Sequence, residues 1–101
     1  MKDPKFRKAL DAYAVEHGQE IKILDDHAYD NSVVGVTDDG RLVYDYNLMV
    51  KEFMEDEECD EIEALEWLDY NTMRALPYMG EDAPIVINTN KETLMELYGE
   101  D

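Results

Sequence analysis

The stretch DEIEALEWLDYNTMRALPYMG, residues 60–80, decides how this chain folds. Ile62, Leu65, Leu68, Thr72 and Leu76 recur three or four residues apart, which on a 3.6-residue turn makes one continuous stripe. Asp60 is placed to cap the first turn, and Glu63, three residues on, can return a bond to the cap N–H. Pro77 has no N–H to continue a helix and disfavours helical geometry at Leu76, so the helix is expected to stop there. It holds the single tryptophan, Trp67, and is expected to be the beam against which a small sheet packs.

Upstream of it, Asp45 is the next N-cap, and Tyr46, Met49, Val50, Phe53 and Met54 fall on one face of a helix of about three turns. That helix runs into EDEECDE, residues 55–61, too dense in like charge to favour unbroken helix, so the link between the two helices is expected there. Before Asp45, the runs Val33–Thr37 and Leu42–Tyr44 flank Asp38-Asp39-Gly40-Arg41, which fits a type I turn followed by a left-handed glycine and predicts a bulged hairpin. Gly35 inside the first run marks a bulge or a close approach. EIKIL, residues 20–24, alternates and predicts a strand with Ile21 and Ile23 inward, and DDHAYDNS, residues 25–32, reads as a polar loop.

At the start of the chain Asp3 caps a helix with Pro4 at N1 and a stripe of Phe6, Leu10, Tyr13 and Ala14; Gly18 ends it. Lys2, Lys5, Arg7 and Lys8 crowd its first turns, a poor place for cations beside the positive end of the helix dipole. They read as a solvated face, with docking onto an acidic surface as the competing reading. Downstream, APIVI, residues 83–87, predicts a strand inside the sheet, and Thr89-Asn90 caps a last helix over 91–98, with Glu92 in capping-box position. The order α-β-β-β-α-α-β-α is that of an α+β domain, residues 1–101, with a small, mainly antiparallel sheet of three to four strands covered on one face by helices.

A chain of 101 residues supports one core, and 45% apolar residues separate it from disordered acidic tails. Its net charge of −17 lies well outside the magnitude of about 2 to 8 usual for small domains. That charge disfavours nucleic acid and anionic membranes as direct partners and favours a basic protein surface. One cysteine, Cys59, fits a reducing cytoplasm, and the residues after Met1 carry no apolar signal region.

Ten carboxylates and no basic residue lie between Glu52 and Asp69. Eighteen helical residues would span about 27 Å, so carboxylates would follow one another roughly every 3 Å, near the phosphate spacing along one DNA strand. Glu55, Asp56, Glu57, Glu58, Asp60 and Glu61 are the expected phosphate surrogates, with Glu52, Glu63 and Glu66 completing the set and Trp67 or Tyr70 as an apolar anchor inside a charged rim. A solvated face that only keeps the chain soluble is the competing reading. Asp25, Asp26, Asp30 and Asn31 lack the order and closing Glu of an EF-hand, and His17, His27 and one Cys fall short of a zinc set, so no metal or other cofactor is expected. Both histidines are expected to be solvent-exposed. Cys59 lies among Glu57, Glu58, Asp60 and Glu61, which oppose thiolate formation. No catalytic motif is present, and no enzyme is expected; a deep pocket holding His27 with two carboxylates would revive that class.

GVTDDGRLVYDY, residues 35–46, and EALEWLDYNTMRALPY, residues 63–78, resemble a family of small uncharacterised acidic proteins of bacterial genomes and mobile elements. The likeness covers about residues 20–87, and WLDYNTMRALPY is its most distinctive part. The family has no established activity, so no functional residues carry over. In size and acidity the chain also resembles phage anti-CRISPR proteins, several of which mimic DNA. The expectation is therefore a non-enzymatic cytoplasmic inhibitor that occupies the basic groove of a nucleic-acid-binding defence nuclease. The alternative is an accessory module of a mobile element, possible as a homodimer, whose acidity serves solubility.

Overall fold

The structure, a computed structural model, describes residues 1–88, 95 and 99. The predicted last helix over 91–98 lies almost entirely outside the described residues. The fold is α+β. Its elements are α1 (Pro4–His17), β1 (Val33–Val36), β2 (Leu42–Asp45), α2 (Tyr46–Glu57), α3 (Glu61–Trp67) and β3 (Ile85–Ile87). A π-helical stretch, Leu68–Met73, continues α3, and 3₁₀ turns occupy Asp30–Ser32 and Leu76–Tyr78.

The caps form where the sequence places them. Asp3 accepts from the N–H of Lys5 and Phe6, Asp45 from those of Asn47 and Leu48, and Asp60 from that of Glu63. Gly18 ends α1 at φ 62°. The hairpin also forms: β1 and β2 pair antiparallel with a register shift between Val33 and Gly35, and Gly40 takes φ 82° in the turn.

Three expectations about the sheet give way. Residues 20–24 make no strand: the Leu24 N–H donates to the Tyr44 hydroxyl at 3.1 Å, and Lys22 bonds the Met79 carbonyl and pairs with Asp82 at 2.6 Å. A side-chain partner thus takes the Leu24 N–H that a ladder would have used, and the Lys22 side chain ties the segment to the 79–82 turn. Ile21 and Ile23 still turn inward and pack on the core. The sheet has three strands in the order β1-β2-β3, so the apolar segment at 83–87 forms an edge, with burial concentrated at Ala83 and Pro84. β3 runs parallel to β2, because the helices between them carry the chain back across the sheet in the crossover that a parallel pair requires.

The core joins Leu42 and Tyr44 of central β2 to Met49, Val50 and Phe53 of α2, to Ala64 and Leu68, and to Leu24 and Tyr29. The helical stripe differs from its expected phase. Ile62 is 68% exposed, whereas Ala64, Leu68 and Thr72 are wholly buried. Residues two apart on an α-helix point about 160° apart, so Ile62 and Ala64 cannot both face inward. A strict spacing of four drifts by about 40° per step on a regular α-helix. The wider π turn at Leu68–Met73 absorbs that drift and keeps all three on the core.

Residues 25–32 form the expected loop, with Asp25, Asp26 and Asn31 exposed, but its second half dips into the interior. Tyr29 and Ser32 are fully buried, and Asp30 is nearly so. Asp30 accepts both forks of the Arg7 guanidinium, at 2.7 and 2.8 Å, and the Asp3 N–H at 2.8 Å. Arg7 therefore leaves the solvated basic face and ties α1 to the core.

Candidate acidic interaction surface

The ten carboxylates do not lie on one rod. α2 ends at Glu57, and Glu58 takes the left-handed conformation at φ 51°, the sole positive φ of a non-glycine residue among those described. The chain then turns through Cys59 and Asp60 into α3. α2 stops within the acidic run, where expected, and the carboxylates are spread over both helices and the turn between them. Glu61 lines a groove with Lys51 and Leu65, and Glu63 a separate cleft with His27.

Two of the ten turn inward. Glu52 is 6% exposed; it accepts from the Met1 α-ammonium at 2.6 Å and from the Ser32 hydroxyl at 2.8 Å. Asp56 accepts from the same ammonium at 2.7 Å and faces His27 Nε2 at 3.0 Å. Burial would raise the Asp56 carboxyl, but the ammonium and His27 hold it below the usual carboxylate range. The helix phase carried the signal for both: Glu52 and Asp56 fall within about 60° of Met49, inside the stripe of α2.

The others remain outside. Glu55, Glu57, Glu58, Asp60, Glu61, Glu63, Glu66 and Asp69 are exposed. Among the described residues, none of these eight pairs with a lysine or arginine. Asp60 is occupied with capping α3, and Asp69 accepts from the Tyr46 hydroxyl at 2.8 Å. Burial and that carboxylate push the Tyr46 phenol up to about 12. Glu61 and Glu63 complement the dipole of α3, whereas Glu55 and Glu57 sit at the negative end of α2, whose last turn carries no basic residue of its own. Lys51, the only base in α2, lines a groove with Glu61 and Leu65.

The two anchor candidates separate. Trp67 is partly buried, stacked on Phe53 with ring centroids 4.8 Å apart. Tyr70 is 69% exposed and carries the Arg74 guanidinium 4.5 Å above its ring. Ile62 joins Tyr70 as an exposed apolar side chain among the acids, a position given by the same phase that buries Ala64.

His27 is half-buried rather than exposed, because its ring packs against Tyr29 and Phe53 at 4.9 Å. An open cleft of about 350 Å³ brings it together with Asp26, Glu57, Cys59 and Glu63. Nε2 faces Asp56, and Nδ1 lies 3.7 Å from Glu57 Oε1. Both ring nitrogens thus look toward the chain's own carboxylates, and the imidazole fastens the segment before Tyr29 to α2. Asp26 accepts from the Thr72 hydroxyl at 2.7 Å, while Asp30 belongs to Arg7, so the acids of this segment diverge. Partial burial, then Glu63, Asp60 and Glu57, raise the Cys59 thiol pKa. Among the described residues no three His, Cys, Asp or Glu side chains converge as a metal site, and no helix is long and apolar enough to cross a membrane. Comparison with protein-family models, with curated proteins and with solved structures finds no match.

Proposed function

We propose that the chain is a non-enzymatic inhibitor that presents the α2–α3 corner to a basic nucleic-acid-binding groove. The fitting partner is a bacterial defence nuclease of the CRISPR type, met in the cytoplasm. The observation that carries this reading is the set of exposed carboxylates on α2, α3 and the turn between them, none paired with a lysine or arginine among the described residues, in the same stretch as exposed Ile62 and Tyr70. Large apolar side chains among charges are what a protein-binding face uses as anchors within a polar rim. Glu55, Glu57, Glu58, Glu61, Glu63 and Glu66 take the phosphate-surrogate role, and Tyr70 replaces Trp67 as anchor. Glu52 and Asp56 hold the corner in place from within.

The test is competition. The chain is titrated into a CRISPR nuclease bound to labelled target DNA, beside a variant carrying Glu57→Lys, Glu58→Lys and Glu61→Lys. The reading expects release of DNA by the native chain and at least a tenfold weaker effect from the variant, since each reversed contact costs about 1 kcal/mol or more. Release that survives all three reversals contradicts it.

A further inference from the structure

On a different face, the outer edge of β1 and an apolar groove beside it are open among the described residues. The groove, about 260 Å³, is lined by Phe6, Ala9 and Tyr13 of α1 and by Val33, Val36 and Leu42. β1 is an edge strand without a single charge, and Val34 and Val36 are 49% and 43% exposed. Such an edge is a template for another strand unless charge, proline or cover blocks it, and among the described residues only the bulge between Val33 and Gly35 does so.

The flank of α1 beside this groove names the occupant. Lys5, Ala9, Ala12 and Glu16 are all exposed and follow one another at helical spacings of four, three and four. A two-fold axis crossing α1 midway along this row would set Lys5 against the partner's Glu16 and Ala9 against the partner's Ala12. The row is self-complementary in charge and narrow at its centre, as an isologous contact requires. β1 borders the same groove as α1, so an axis beside that groove turns its open edge toward the partner's. Lys2, Lys5 and Lys8 also make this the least acidic part of a chain of net charge −17, so two copies approach here with least repulsion.

We infer that a second copy of this chain docks on the α1–β1 face, placing β1 beside β1 and pairing Lys5 with the partner's Glu16 in both directions. This surface shares no residue with the α2–α3 corner, so the dimer stands or falls independently of the proposed inhibition.

Sedimentation equilibrium of the full chain tests it, at about 0.3 M NaCl to screen the net charge. The native chain is expected to dimerise. Lys5→Glu should weaken the dimer about tenfold by turning two attractive pairs into repulsive ones, and Lys5→Glu with Glu16→Lys should restore it. Val36→Lys should weaken the dimer through the groove and edge. The charge exchange favours α1 itself, since it puts an acid in the first turn and a base in the last, so loss of folding does not confuse the result. A chain that stays monomeric up to about 1 mM overturns the inference. A dimer indifferent to Lys5→Glu and Val36→Lys overturns it, and so does one that the double exchange fails to restore.

Discussion

Replacing Arg7 by Met strips the Asp30 carboxylate of its counter-charge while leaving it buried. The Asp30 side chain is 2% exposed and keeps one other donor, the Asp3 N–H at 2.8 Å. Breaking a buried ion pair from one side costs about 3–5 kcal/mol, and the 26% exposure of Arg7 argues for the lower end, about 3 kcal/mol. A urea slope near 1.5 kcal/mol/M, ordinary for about 100 residues, turns this into a midpoint about 2 M lower. Trp67, stacked on Phe53, reports unfolding by its fluorescence. Arg7→Met with Asp30→Asn keeps an acceptor for Asp3 and removes the orphaned charge, so it should cost less than the sum of the single changes. The pH dependence has a fixed sign. Burial raises the Asp30 carboxyl, but Arg7 and the Asp3 N–H hold it below its ordinary value. Its stabilisation is therefore full above the unfolded pKa of about 3.9 and is lost as pH falls through the lower folded value. The penalty of Arg7→Met should shrink in acid, where Asp30 takes a proton. A midpoint shift under about 0.3 M at pH 7 refutes the assignment of Arg7 and Asp30 as the tie between α1 and the core.

Thr72→Val should destabilise the chain by about 2–3 kcal/mol in the same assay, because the Thr72 hydroxyl donates to Asp26 and meets the buried Tyr29 hydroxyl at 3.1 Å. Tyr46→Phe should cost about 1 kcal/mol by removing its bond to Asp69, and the phenol titrating near 12 should vanish from the ultraviolet pH curve. Cys59 should react with iodoacetamide at pH 7.5 more slowly than free cysteine, and faster in high salt, where its acidic neighbours are screened. A Cys59 that matched the free thiol would contradict the raised pKa.

The elements with local causes were legible in the sequence. Asp3, Asp45 and Asp60 cap by a side-chain reach of two or three residues, and Gly18 and Gly40 serve backbone angles that their own positions demand. The long-range partners were not. Nothing within residues 20–24 says that Lys22 will find Met79 and Asp82, and nothing in DDHAYDNS says that Asp30 will meet Arg7. Composition made that segment look exposed throughout, and Asp25, Asp26 and Asn31 are, whereas Asp30 and Ser32 are buried because each has a partner. The candidate surface was half legible. Its carboxylates are counted from the sequence, but which of them turn inward depends on the phase of α2, and the choice of Tyr70 over Trp67 depends on the π turn that follows α3.

The central claim is that the α2–α3 corner takes the place of a nucleic acid. It is tested most directly by asking whether a CRISPR nuclease can hold target DNA and this chain together, at about 0.05 and 0.5 M NaCl. The account predicts mutually exclusive binding and an affinity for the chain that falls steeply with salt. A ternary complex, or an affinity indifferent to salt, would contradict it.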